Sequence, residues 1–177
     1  MEYTKISVIS DLKDNVGYIV SHIEASNGKT TRVMILTEDR LIGFTRNQLD
    51  LIAILLAAKR IKPEYRGYKM TINTTSKHVR PLLNKVDDEW VGNPKVNKML
   101  IKDVRNELDT YSVIKVSSSV RDKGFVICQR TLKSIMKNGV SSEKSVSNAE
   151  PAPEPAPAPE PAQKPAPKPS KTAKPKS

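Results

Sequence analysis

Apolar and polar side chains alternate through residues 3–10, YTKISVIS, with Ile6, Val8 and Ser10 on one face, the period of a half-buried strand. VGYIVSHIEA, residues 16–25, predicts a second strand, and Asn27-Gly28 is a hairpin signal leading into a third at 29–37, KTTRVMILT. The chain thus opens with an antiparallel meander. The period then lengthens. TRNQLDLIAILLAAKRI, residues 45–61, predicts a helix capped by Thr45 and rich in strong helix formers. Its apolar positions, among them Leu49, Leu51, Ile52, Ile54 and Leu55, cover most of the circumference, so it belongs between the sheet and other helices. Lys59, Arg60 and Lys62 suit its C-terminal end, and Pro63 stops it.

Strand and helix patterns alternate from there. Residues 68–74 predict a fourth strand, and 76–85 a short helix that Pro81 would shorten or kink. Asn93 as cap and Pro94 at the first helical position open a further helix, in which Val96, Met99, Leu100, Val104 and Leu108 share a stripe. SVIKVSS at 112–118 predicts a fifth strand and GFVICQRTLKSIMK at 124–137 a closing helix. The expected order is βββαβααβα, an α/β fold with a mixed five-stranded sheet.

Composition limits this unit to residues 1–138. From residue 139 to 177 the chain has no aromatic residue and almost no large apolar one, and it cannot bury enough surface to offset its ordering entropy. That Pro/Ala/Lys-rich tail is expected to be disordered and extended, acidic at first and then basic through Lys164, Lys168, Lys171, Lys174 and Lys176. Those lysines suit a phosphate backbone, a solubilising linker is the plainer role, and proline-recognition domains could also dock there. The net charge is +11, and the tail from Val140, with six Lys and four Glu, leaves +9 on the folded part. A surplus of that size favours a polyanionic partner, nucleic acid or an acidic protein surface, with solubility as the bland alternative. One cysteine, Cys128, excludes an internal disulfide, and its apolar neighbours point to the core. No run is long enough to span a membrane, and no leader is visible, so a cytoplasmic location is expected.

The order of elements resembles the ribonuclease H-like fold over roughly residues 4–137. Four stretches carry the resemblance. VISD looks like the end of the family's first strand with its aspartate. GFTRNQLDLIAILLAAKRI is similar to its polar turn and carboxylate-bearing central helix. TINTTSKHV stands where the family has a strand ending Thr-Asp-Ser, and NPKVNKMLIKDVRNELDTYSVIKV resembles its penultimate helix and last strand.

In that family, carboxylates hold two divalent ions that activate water and stabilise the leaving oxygen at a phosphodiester. The resemblance places Asp11 on the first aspartate and Asp50 on the central-helix glutamate, but Thr75 falls on the third carboxylate. No acid occurs from Lys123 to Asn138, where the fourth is expected, and Asp122 lies several residues early. The loop ahead of the closing helix, SSSVRDKG, lacks the family's histidine. Asp11 and Asp50 are then vestigial, and their plainer roles are capping a turn and complementing a helix dipole.

The implied reading is a pseudo-enzyme that binds nucleic acid, RNA or an RNA:DNA hybrid, without a cofactor. Asn47 and Ser76 match polar contacts of the family, with Lys13, Arg46 and Lys77 along the same rim. Trp90 is a further candidate contact, although an indole of that area more often packs into a core. A scaffold whose groove or tail binds proteins is the alternative, and a divergent Mg²⁺-dependent ribonuclease the third. By analogy with inactive members in viral proteins, the chain would suit a viral or phage accessory protein acting in host cytoplasm.

Overall fold

The computed structural model describes residues 2–67 and 69–138. The tail and its five candidate lysines, Lys164, Lys168, Lys171, Lys174 and Lys176, lie outside the described residues.

The meander forms as expected, with longer strands: β1 (Glu2–Lys13), β2 (Val16–Asn27) and β3 (Thr31–Ile42). Each turn has a local cause. Asp14 and Asn15 both adopt left-handed φ, 53° and 62°, closing a two-residue hairpin whose hand matches the strand twist. At the second turn Gly28 takes φ 83°, and Asn27 Oδ1 accepts from the backbone N–H groups of Lys29 and Thr30. After α1 (Arg46–Lys59) and a 3-10 turn (Pro63–Tyr65), β4 (Lys69–Asn73) joins β1 in parallel, with Ile6 opposite Ile72. β4 in turn pairs in parallel with the last strand, numbered β7 (Val113–Ser117).

The segment between β4 and β7 departs from expectation. The helix expected over 76–85 shrinks to α2 (Arg80–Leu83), with Pro81 in its opening turn. Two short strands follow, β5 (Lys85–Val86) and β6 (Glu89–Trp90), joined through left-handed Asp87 and Asp88. β5 pairs with β7, so the sheet has seven strands rather than five, in the order β3-β2-β1-β4-β7-β5-β6. The next helix, α3 (Lys98–Leu108), starts after Asn97 at φ 53°, not at Pro94. Arg105 explains the delay, because its guanidinium donates to the carbonyls of Leu82 and Gly92 and holds the chain before the helix in an irregular path. Its buried stripe is Ile101, Val104 and Leu108, whereas Val96 and Met99 are 69% and 75% exposed. α4 (Lys123–Asn138) closes the unit.

The helices cover the two faces of the sheet unequally. α1 and α3 bury Leu49, Ile54, Ala57, Ile101, Val104 and Leu108 against Ile6, Val8, Ile72 and Ile114. α4 covers the other face through Cys128, Leu132 and Ile135, packed on Val20 and Ile9. Cys128 Sγ reaches the Ser7 carbonyl at 3.2 Å, and burial pushes its thiol pKa up to about 12, so it is an inert core group. Among the described residues, no helix is long and apolar enough to cross a membrane.

α4 lies tight against the sheet at Gly124, where an added Cβ would lie 2.7 Å from His22 Nδ1 and 2.8 Å from Ser7 Oγ. Gly124→Ala therefore overpacks this contact and should destabilise the fold by about 1–3 kcal/mol. Urea unfolding tests this: the midpoint falls while the slope is unchanged.

Candidate functional site

A pocket of about 290 Å³ opens where the C-terminal ends of β1 and β4 meet the first turns of α1. α1 is set there by a full capping box: Thr45 Oγ1 accepts from Gln48 N–H, and the Gln48 side chain accepts from Thr45 N–H. The helix start thus delivers Arg46 and Asn47 to the pocket, with Asp50 one turn further on.

The opposite wall is the turn after β4, and its hydroxyls have structural work. Asn73 donates from Nδ2 to Ser119 O at 2.9 Å and accepts at Oδ1 from Ser119 N–H at 2.8 Å, tying the strand end to the loop after β7. Thr74 is buried and accepts the Ser76 N–H at Oγ1, 3.1 Å away. The backbone so bent exposes Thr75, Lys77 and His78 at the pocket mouth. Ser76 Oγ is buried in the wall without a well-formed hydrogen bond among the described residues.

Asp50 forms the floor. It is 8% exposed, and its Oδ1 accepts from Ser10 Oγ at 2.6 Å. Burial pushes its carboxyl pKa above the ordinary carboxylate value, opposed in part by the hydroxyls of Ser10 and Ser76 and by the charges of Arg46 and His78. Apart from this carboxylate, the side chains around it are the cations Arg46 and Lys77, the His78 imidazole, and amide or hydroxyl groups.

The structure redistributes the residues singled out in the sequence. Arg46, Asn47, Asp50, Thr75, Ser76 and Lys77 come together in the pocket. Asp11 does not line it. Strand alternation turns Asp11 to the other face of β1 from Ser10, and its Oδ1 sits 3.7 Å from Arg46 Nη1 at the rim. Lys13 is on that other face too, contrary to its expected place on the rim, and its Nζ donates to Met136 O on α4 at 3.4 Å. Trp90 belongs to β6, the outermost strand, where it packs against the core with Arg105 and Lys85 at 5.0 Å and 5.4 Å from the ring centre. Asp122 caps α4 by accepting the Phe125 N–H at 3.1 Å, and also bonds Ser7 Oγ and Lys5 Nζ. Burial works against its charge, but these donors prevail and hold its carboxyl below the usual range. Among the described residues, no three His, Cys, Asp or Glu side chains gather as a metal would require.

Ser10 and His78 are site residues that sequence reasoning missed. For Ser10 the signal is present, since alternation already places it with Ile6 and Val8 on the helix-facing side. His78 carries none.

A raised folded-state pKa means that the native protein binds a proton at Asp50 more tightly than the unfolded chain does. Stability is then lost as pH rises from the ordinary carboxylate value through the raised one, and stays lost above it. Asp50→Asn, which keeps an acceptor for Ser10, should melt at or above the parent's temperature at pH 7. The gap should close as the pH falls through that window. A gap independent of pH in thermal scans would refute the strain assigned to this carboxylate.

No protein-family profile and no curated protein matches this sequence. Solved structures do match. The N-terminal RNase H domain of a Mycobacterium tuberculosis protein superposes with a TM-score of 0.55 at 10% identity, over 78% of this chain and 96% of that one. RNase H1 from the archaeon Halobacterium salinarum gives 0.51 at 11% identity, covering 75% and 98%. LC9-RNase H1, a type 1 RNase H with the type 2 active-site motif, gives 0.56 at 11% identity, covering 82% and 77%. Identities this low speak to architecture alone, and on architecture the three agree: this chain has a ribonuclease H-like fold.

Proposed function

We propose that the protein is a nucleic-acid-binding module that grips phosphate without a divalent metal, a pseudo-enzyme of the ribonuclease H-like class. The observation that carries this reading is the lining of the pocket. Arg46, Lys77 and His78 surround a single buried carboxylate, with Asn47, Ser10 and Ser76 as neutral polar groups. Mg²⁺ takes hard oxygen ligands in octahedral geometry, and a pair of ions beside a polyanion needs several carboxylates to hold them. One carboxylate already bonded to Ser10 does not meet that demand, and the charges of Arg46 and Lys77 beside it would oppose a metal ion. The same cations suit a phosphate oxygen.

Asp50 supports the reading further. A carboxyl that burial makes reluctant to ionise opposes an incoming anion less than an ordinary aspartate would. Asn47 and the exposed Thr75 hydroxyl can donate to phosphate or sugar oxygens, contacts that position a strand without reading its bases. RNA or an RNA:DNA hybrid fits this mode, because A-like helices present sugar and phosphate across a shallow minor groove.

Fluorescence anisotropy with labelled RNA and hybrid tests the proposal. Binding should weaken steeply with salt and be unchanged by EDTA. The double variant Arg46→Gln/Lys77→Gln should reduce the salt slope for single-stranded RNA by about 0.7 for each phosphate it no longer neutralises. Absence of salt-sensitive binding at low ionic strength would overturn the reading. So would Mg²⁺- or Mn²⁺-dependent cleavage of the hybrid that Asp50→Asn abolishes.

A further inference from the structure

The outer face of α4 carries a second concentration of positive charge, on the opposite side of the sheet from the pocket. Lys123, Arg130, Lys133 and Lys137 are all exposed. At 100° per residue they fall within an arc of about 80°, and at 1.5 Å rise they span about 21 Å. The sixteen residues of α4 contain no acid, and none of these four cations ion-pairs among the described residues.

The surroundings extend the field. Cross-strand register places Lys115 opposite Thr71, on the same sheet face as Lys5, and Lys69 two residues before Thr71 shares that face. Lys69 and Lys115 are both exposed. Three acids on this side are engaged: Asp122 with Lys5, Glu24 with the Tyr3 hydroxyl and Asp11 with Arg46. A surface of this shape and sign matches a sugar-phosphate backbone, in which one strand of a duplex presents a charge about every 3.4 Å.

We propose that this face of α4 is a second nucleic-acid contact, so that one molecule holds two segments on opposite sides of its sheet. The inference rests on the pocket's assignment to nucleic acid for the first segment only. The occupant is a phosphate backbone and not an acidic protein, because the cations follow a line along a helix with no apolar residue exposed between them for a protein partner to bury.

The test uses the full-length chain and two short RNA oligonucleotides, one labelled with a donor and one with an acceptor fluorophore. The parent should bind two per chain and bring the dyes into energy transfer at low salt. Arg130→Gln/Lys133→Gln/Lys137→Gln should bind one per chain, lose the transfer and lower the salt slope by about 2, with an unchanged circular dichroism spectrum confirming the fold. Two oligonucleotides per triple variant with the parental slope would overturn the inference. So would displacement of RNA from this face by polyglutamate at matched charge. If the triple variant is unaffected while Arg46→Gln/Lys77→Gln loses binding, the inference fails and the pocket assignment stands. The reverse pattern removes the pocket and leaves α4 as a contact.

Discussion

β1 is hydrogen-bonded on both sides, antiparallel to β2 and parallel to β4, so each of its side chains must face one of two helical layers. Nothing about this strand can slip by one residue without exchanging every commitment. Ile6 and Val8 go to the α1 side and are followed there by Ser10, which meets Asp50. Ser7, Ile9 and Lys13 go to the α4 side, where they meet Asp122, the small apolar cluster and Met136. The pocket and the α4 surface are both consequences of that single register.

The same constraint explains how far the sequence can be read. The three long strands and α1 announce themselves because period and capping agree with the tertiary fold at every position. The end of VISD points to Asp11, yet that side chain is governed by parity, which puts Ser10 inward instead. The β5–β6 hairpin is silent in the sequence because its turn is Asp87-Asp88, without glycine. Short polar side chains tolerate left-handed backbone, but they do not advertise it. The start of α3 is shifted because Asn93-Pro94 is a sound local signal that a distant guanidinium overrides.

The energetics of the buried Asp50 carboxylate, set beside cations and hydroxyls, run through solvation. The Ser10 hydrogen bond favours the charged form while burial opposes it, and burial has the larger effect. In the proposed binding mode, a phosphate arriving at Arg46 would draw off positive potential that helps Asp50 to ionise. Ligand binding and proton uptake at Asp50 would then be thermodynamically coupled, each favouring the other.

Asn73 ends β4, yet its carboxamide belongs as much to the loop that follows β7, through its two bonds with the Ser119 backbone. The pocket's outer wall therefore inherits its position from a loop on the neighbouring strand. That loop, residues 118–122, also leads directly into the α4 cap at Asp122. Insertions or deletions there would displace the rim carrying Lys77 and the start of the α4 stripe together. The two faces of the sheet share one adjustable joint, and drift in its length would retune both at once.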